Sequence, residues 1–207
     1  RRHSFPTRRS SDLFFAKNFP DAIDVIPKLA EDFFKNPTST LVTMKCFPWA
    51  YEDKIALIGD ACHAIVPFYG QGMNAGFEDI SILNEIMQQY GDDWKTIFSE
   101  YQKSRKPNAD AIAELSYRNF MEMSTKTADE KFLLQKKIEK VFSDKHPDLW
   151  IPLYSRVTFS DRPYAEALAI GDAQNAIMEE VLKMDNIDKK WDSEEVEDKI
   201  LELLRLQ

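Results

Sequence analysis

Residues 54–79 read KIALIGDACHAIVPFYGQGMNAGFED, and this stretch decides how the rest of the chain is read. Lys54 opens an apolar run, Ile55 to Ile58, that ends on Gly59, the pattern of a buried strand. Residues 59–79 hold Pro67 and four of the six glycines of the chain, the composition of a loop that turns sharply. Phe77, Ile80, Leu83, Ile86 and Met87 then recur at helical spacing until Gly91 stops them, predicting a helix of about 18 residues, or roughly 27 Å. The order is strand, glycine-rich loop, helix.

That order carries chemistry. A carboxylate at the carboxyl end of a buried strand points into the crevice where open α/β sheets take ligands, so Asp60 is suited to accept hydrogen bonds from a ribose or polyol hydroxyl. At Gly72, Met73 and Asn74 the free N–H groups of a helix start present about half a positive charge, which suits an anion or an electron-rich carbonyl. Gly70, Gly72 and Gly76 let a flat ring approach the backbone closely. A lone Gly-Asp pair would more simply cap a turn.

Working outward, the 207 residues give enough apolar material for one core, with 35 acidic against 27 basic side chains and a formal charge of −8. That balance argues against a nucleic-acid surface and favours a small-molecule or protein partner. Cys46 and Cys62 fall in no metal-ligand or redox spacing, so reduced thiols in a cytoplasmic protein are expected, without a metal. No run approaches the roughly 20 apolar residues of a membrane span, so no transmembrane segment is expected. The first thirteen residues, RRHSFPTRRSSDL, have no periodic apolar pattern and are set aside as a non-native leader.

Between residues 14 and 35 apolar residues at helical spacing, broken by Pro20 and Pro27, predict two short helices. Residues 40–47 and 54–59 predict strands. Beyond the glycine loop, residues 94–103, 107–123 and 129–142 predict separate helices, with Pro107 in a first turn. Residues 150–159 read as extended or irregular. Helices are expected at about 164–184 and 193–205, the second capped by Asp192 with Glu195 three residues on.

The string from Gly59 to Asp79 resembles the pattern by which single-component FAD-dependent aromatic hydroxylases hold the ribityl chain and ring of FAD. Its version, Pro67-Phe68-Tyr69-Gly70-Gln71-Gly72-Met73-Asn74-Ala75-Gly76-Phe77-Glu78-Asp79, is similar to the kynurenine 3-monooxygenase family, and the similarity covers about residues 14–180. The resemblance implies an α/β fold: the C-terminal part of a Rossmann-like FAD-binding domain over residues 14–106, then a mainly α-helical region over residues 107–207. It implies hydroxylation of L-kynurenine to 3-hydroxykynurenine with FAD, NADPH and O2, a step of tryptophan catabolism.

Carried over by position, Asp60 looks like the ribityl ligand, and Gly72, Met73 and Asn74 like contacts to the pyrimidine end of the ring. Pro67, Phe68 and Gln71 would lie over the face of the ring where substrate sits. Asn119 and Tyr154 match the family's asparagine and tyrosine for the amino-acid end of kynurenine, an amide and a phenol that complement a zwitterion. No side chain is assigned a catalytic role, since the cofactor carries the reaction.

Other residues take simpler readings. His63 and Cys62 are expected to pack in the loop, Arg105 and Lys106 to be solvated or ion-paired, and Met121 and Met123, with Phe120, either to line a substrate cavity or to pack in the core. No G-x-G-x-x-G follows an opening strand, so no pyrophosphate site is expected; the resemblance implies that the family's carboxylate-gripping arginine and tyrosine would precede residue 14, and an incomplete chain is expected. Another flavin-dependent aromatic hydroxylase, or a non-catalytic helical interaction protein, are the alternative readings.

Overall fold

A computed structural model describes residues 8–37 and 39–206, and the chain divides into two compact units, Arg1–Leu41 and Val42–Gln207. Among its described residues the first unit holds three helices where two were expected: α1 (Arg8–Asn18), α2 (Pro20–Val25) and α3 (Leu29–Lys35). Pro20 starts α2, where its ring presets the backbone and its missing N–H costs nothing. The rings of Phe15 and Phe33 meet edge to face at 5.6 Å and tie α1 to α3. α1 runs across the boundary at residue 13 drawn for the leader, whose first seven residues lie outside the described ones.

In the second unit the expected strands are the largest departure. Residues 40–47 form no strand, and of residues 54–59 only β2 (Ile55–Ala56) pairs, antiparallel to β1 (Ala50–Tyr51). A strand exists only where a neighbour supplies its hydrogen bonds, and among the described residues the short β1 is the one neighbour. Ile55 is accordingly 58% exposed, although its sequence context is that of a buried strand. The two-stranded sheet is too small to show the parallel Rossmann-like arrangement, and the second unit is mainly helical.

Helices build the core. After the short α4 (Asp60–His63) and a 3-10 turn at Pro67–Tyr69 comes α5 (Gly72–Tyr90), 19 residues long and close to expectation. Its buried residues are Ala75 and Asp79, whereas Phe77 and Ile80, two of the apolar residues whose spacing predicted the helix, are 62% and 55% exposed. α6 (Trp94–Met121) then runs 28 residues, through Pro107, where two helices had been expected. Pro107 lies on an exposed face, as does Lys103, whose carbonyl loses its N–H partner there. Asp93 caps α6, its carboxylate accepting from the Thr96 N–H at 3.2 Å. α6 passes into a π-helical turn, Glu122–Lys126.

α7 (Glu130–Lys145), expected over residues 129–142, is capped by Asp129, whose carboxylate accepts from the Phe132 N–H at 2.7 Å. Residues 150–159, expected to be irregular, contain α8 (Leu153–Thr158), whose first turn follows Pro152. α9 (Tyr164–Val181), α10 (Ile187–Lys190) and α11 (Glu194–Leu204) complete the chain. The cap residue of α11 is Ser193, not Asp192, and no side chain bonds its first N–H groups. Ile112 and Leu115 of α6 pack with Val157 of α8 and with Tyr164 and Ala167 of α9. Ile138 and Phe142 of α7 join Trp150, Ile177 and Met178 of α9 and Ile200 of α11 in a second cluster. A third joins Trp49 and Cys62 to Tyr101 and Ala109 of α6. α6 contributes to two of these clusters and is the spine of the unit.

An interior proline costs a helix about 3 kcal/mol, partly offset here by exposure and by the stiffer unfolded chain. We expect Pro107→Ala to stabilise the chain by about 1–3 kcal/mol, read as a higher midpoint in denaturant unfolding. An unchanged or lower midpoint would mean that the ring itself is needed at this turn.

Candidate functional site

The loop after β2 begins at Gly59, with φ 61° and ψ −137°, a conformation that a side chain disfavours. Asp60 follows at the start of α4; it is exposed, and its carboxylate has no hydrogen-bond partner among the described residues. Gly70, at φ 67°, ends the 3-10 turn, and Gln71 becomes the residue before α5. No side chain caps α5, so the first N–H groups, at Gly72, Met73 and Asn74, are left without a partner from their own helix. Met73 is 71% exposed beside them. A free carboxylate and an uncapped helix start thus lie at the two ends of one short loop.

Gln71 turns inward. Its side chain is buried, and its Oε1 accepts from Asn74 Nδ2 at 2.9 Å and from the Tyr164 hydroxyl at 3.0 Å. Pro67 is exposed and Phe68 half-buried. Asn119, near the end of α6, donates from Nδ2 to the Phe68 carbonyl at 2.7 Å, so this amide holds the loop in place. Tyr154, on α8 and half-exposed, stacks on Tyr69 with centroids 5.6 Å apart. Phe120 lies 4.7 Å from Phe68, centroid to centroid. The loop between Asp60 and α5 is therefore held from one side by α6 and α8.

Asn119 and Tyr154 both line a cavity of about 640 Å³, a size suited to a small ligand. Tyr69, Met121, Glu122 and Phe132 are also on its wall. Burial foremost, with the negative charge of Glu122, pushes the Tyr69 phenol up to about 12, so it is a neutral hydroxyl at neutral pH. Asp60, Pro67, Phe68, Gln71, Gly72, Met73 and Asn74 are not among the residues of this wall. The two sets meet through Tyr69 and the Asn119–Phe68 bond. Met121 stands on the cavity wall, one of the two places expected for it, and Met123 is 56% exposed, outside the core.

Beneath the loop is a cluster that the sequence reading missed. Asp79 of α5 is fully buried; its Oδ2 accepts from the Gly59 N–H at 3.1 Å and meets His63 Nε2 at 2.5 Å, and its Oδ1 accepts from Arg105 Nε at 2.7 Å. Arg105, 2% exposed, also pairs with Glu78 at 2.8 Å. Burial disfavours the His63 imidazolium, but the Asp79 carboxylate outweighs it and raises His63 to about 10. Burial pushes the Asp79 carboxyl up, and its bonds to His63 and Arg105 overcome that and hold it below the usual range. His63 is thus a charged partner, not a passive packing residue, and Arg105 is ion-paired rather than solvated. The signal was available in Glu78-Asp79, two acids seven and eight residues into a helix whose neighbours are apolar.

Two kinds of similarity bear on this geometry. Residues 21–116 match the family model described as FAD binding domain. The chain is 82% identical over 202 residues to a kynurenine 3-monooxygenase of Flavobacterium johnsoniae, which covers 98% of this chain and 45% of that protein. It is 74% identical over 201 residues to the Flavobacterium psychrophilum protein of the same name, covering 97% of this chain and 45% of that one. A Dictyostelium discoideum protein so named is 44% identical over 192 residues, covering 87% and 42%. The chain spans less than half the length of these relatives. No helix among the described residues is long and apolar enough to cross a membrane.

The buried cluster has a pH signature. His63 is raised from 6.5 to about 10, so its contribution to stability is full below pH 6.5 and is lost as pH rises through about 10. Asp79 is depressed below 3.8, so its contribution is present above that pH and is lost on acidification. We expect Tm to fall steadily between pH 6.5 and 10, and His63→Gln to flatten that slope. Parallel Tm profiles for the two proteins would show that His63 does not carry the charge.

Proposed function

We propose, for a chain that matches one part of the kynurenine 3-monooxygenases across nearly its whole length, that it forms the ring-side half of an FAD site and part of the adjoining substrate site in a hydroxylase of L-kynurenine. The observation that carries this reading is the exposed, partnerless Asp60 set against the uncapped start of α5, inside the segment that matches the FAD binding domain. The residues present fit that group: Asp60 can accept hydrogen bonds from the ribityl hydroxyls, and the N–H groups at Gly72, Met73 and Asn74 can face the pyrimidine carbonyls.

When bound and reduced by NADPH, FAD supplies the oxygen-activating chemistry by which a hydroxyl is placed on the aromatic ring to give 3-hydroxykynurenine. The chain supplies orientation. Pro67 and Phe68 would lie over the face of the ring, and Gln71 fixes the start of the helix that follows their loop through Tyr164 and Asn74. Asn119 spends one amide hydrogen on Phe68 and keeps its second hydrogen and its oxygen for a ligand in the cavity. The Tyr154 hydroxyl offers a donor on the same wall. Together they complement the amino-acid end of the substrate, on a wall where charged side chains such as Arg118 and Glu122 alternate with the apolar surfaces of Leu115, Met121 and Phe132.

The test uses a chimera in which this chain replaces the matching residues of the Flavobacterium johnsoniae relative. Asp60→Ala removes a charged acceptor worth about 1.5–3 kcal/mol, so FAD affinity should fall about ten- to a hundred-fold. Unchanged FAD retention would leave Asp60 a loop carboxylate. Tyr154→Phe deletes one hydroxyl and should cost about 1–3 kcal/mol in kcat/KM for kynurenine, with FAD retained. A decarboxylated analogue should be nearly indifferent to the change. Equal losses for both substrates would place Tyr154 in the scaffold and broaden the assignment to an unspecified aromatic hydroxylase.

A further inference from the structure

We infer that Asp79 is a positioning residue for the cofactor loop: it sets where Asp60 stands relative to the start of α5. The inference rests on the reading that Asp60 holds FAD. Burying Asp79, His63 and Arg105, each no more than 3% exposed, carries a desolvation cost that an apolar trio of the same volume would avoid. An apolar trio cannot do what the carboxylate does, which is to take donors from three separate elements.

Those donors are the Gly59 N–H in the loop, His63 on α4 and Arg105 on α6. The Gly59 carbonyl, in turn, accepts from the N–H groups of Cys62 at 3.0 Å and His63 at 3.1 Å. Gly59 is thus fixed on both sides at its positive φ, and Asp60 is the next residue. A side chain placed on Gly59 would stand 3.9 Å from the Gly76 Cα, so α5 also packs directly against this point. Asp79 lies two turns into α5, and the uncapped N–H groups lie in the first turn of the same helix. One hydrogen bond therefore registers the free carboxylate against the free N–H groups, and Arg105 anchors that bond to α6. Asp79 itself points into the protein and touches neither ligand group.

The experiment is a double-mutant cycle in the same chimera, read as the Kd for FAD by titration of the apoprotein, with Tm measured alongside. Asp79→Asn keeps the volume and one acceptor oxygen and removes the charge. We expect its Kd to rise about tenfold, and Asp60→Ala combined with Asp79→Asn to lose far less than the product of the two single losses, because both act through one contact. A lower Tm with an unchanged Kd, or losses that multiply, would make Asp79 structural only and overturn the inference. Should Asp79→Asn fail to fold, Gly59→Ala leaves the ion cluster whole and strains the same loop. Its Kd should also rise, and should not multiply with Asp60→Ala; a wild-type Kd there overturns the inference equally. If Asp60→Ala alone leaves Kd unmoved, the flavin reading fails first, and this inference falls with it.

Discussion

A single buried carboxylate, Asp79, joins three elements that are distant in sequence, and the geometry of the candidate site depends on that junction. A carboxylate taken out of water must find its full complement of donors, and here they come from Gly59, His63 and Arg105. The cluster is near neutral when His63 is protonated, with Asp79 and Glu78 against His63 and Arg105. That balance lets four ionisable groups gather in a chain whose overall charge is −8 without adding to its self-repulsion.

The second constraint is the way the glycine-rich loop is held from the helical side. Asn119 bonds the Phe68 carbonyl, Tyr154 stacks on Tyr69, and Phe120 contacts Phe68. These contacts have different characters: one is directional and polar, two are broad and aromatic. A loop that turns on Gly70, with no regular ladder of its own, takes its shape from them. The cavity on whose wall Asn119 and Tyr154 stand is thus joined to the loop by the same side chains that shape it.

Much of this was legible in the sequence, and the exceptions have physical causes. The glycine-rich stretch and the helix after it stood out because glycine and helical periodicity are local signals, and α5 came within a residue of its expected length. The buried face of α5 did not, because periodicity counts apolar residues and the side chain that matters there is Asp79. Pro107 suggested a helix start, yet propensity yields where the proline lies on an exposed face and buried residues anchor the helix before it, at Ile97 and Tyr101, and after it, at Ala109, Ile112 and Leu115. The stretch 54–59 carries the composition of a buried strand, but strand formation is a property of the pair, and only β1 pairs with it among the described residues. Asn119 and Tyr154 stood out by resemblance alone; their spacing, 35 residues apart, carries no local sign that they share a cavity.

The length of α6 acquires a meaning from its two ends of contact. Arg105 touches the cluster under Gly59, and Asn119, fourteen residues further along one unbroken helix, touches the loop at Phe68. At about 1.5 Å per residue that separation is near 21 Å, and at about 100° per residue fourteen steps bring the two side chains within roughly 40° of the same azimuth. α6 thus behaves as a caliper whose jaws grip the glycine-rich segment at its start, beneath Gly59, and at its middle, Phe68. Inserting or deleting one residue between the jaws would swing Asn119 by about 100° and release the loop while leaving the lower jaw closed. Evolution can vary side chains along this stretch freely on its exposed face, but its residue count is a dimension of the site.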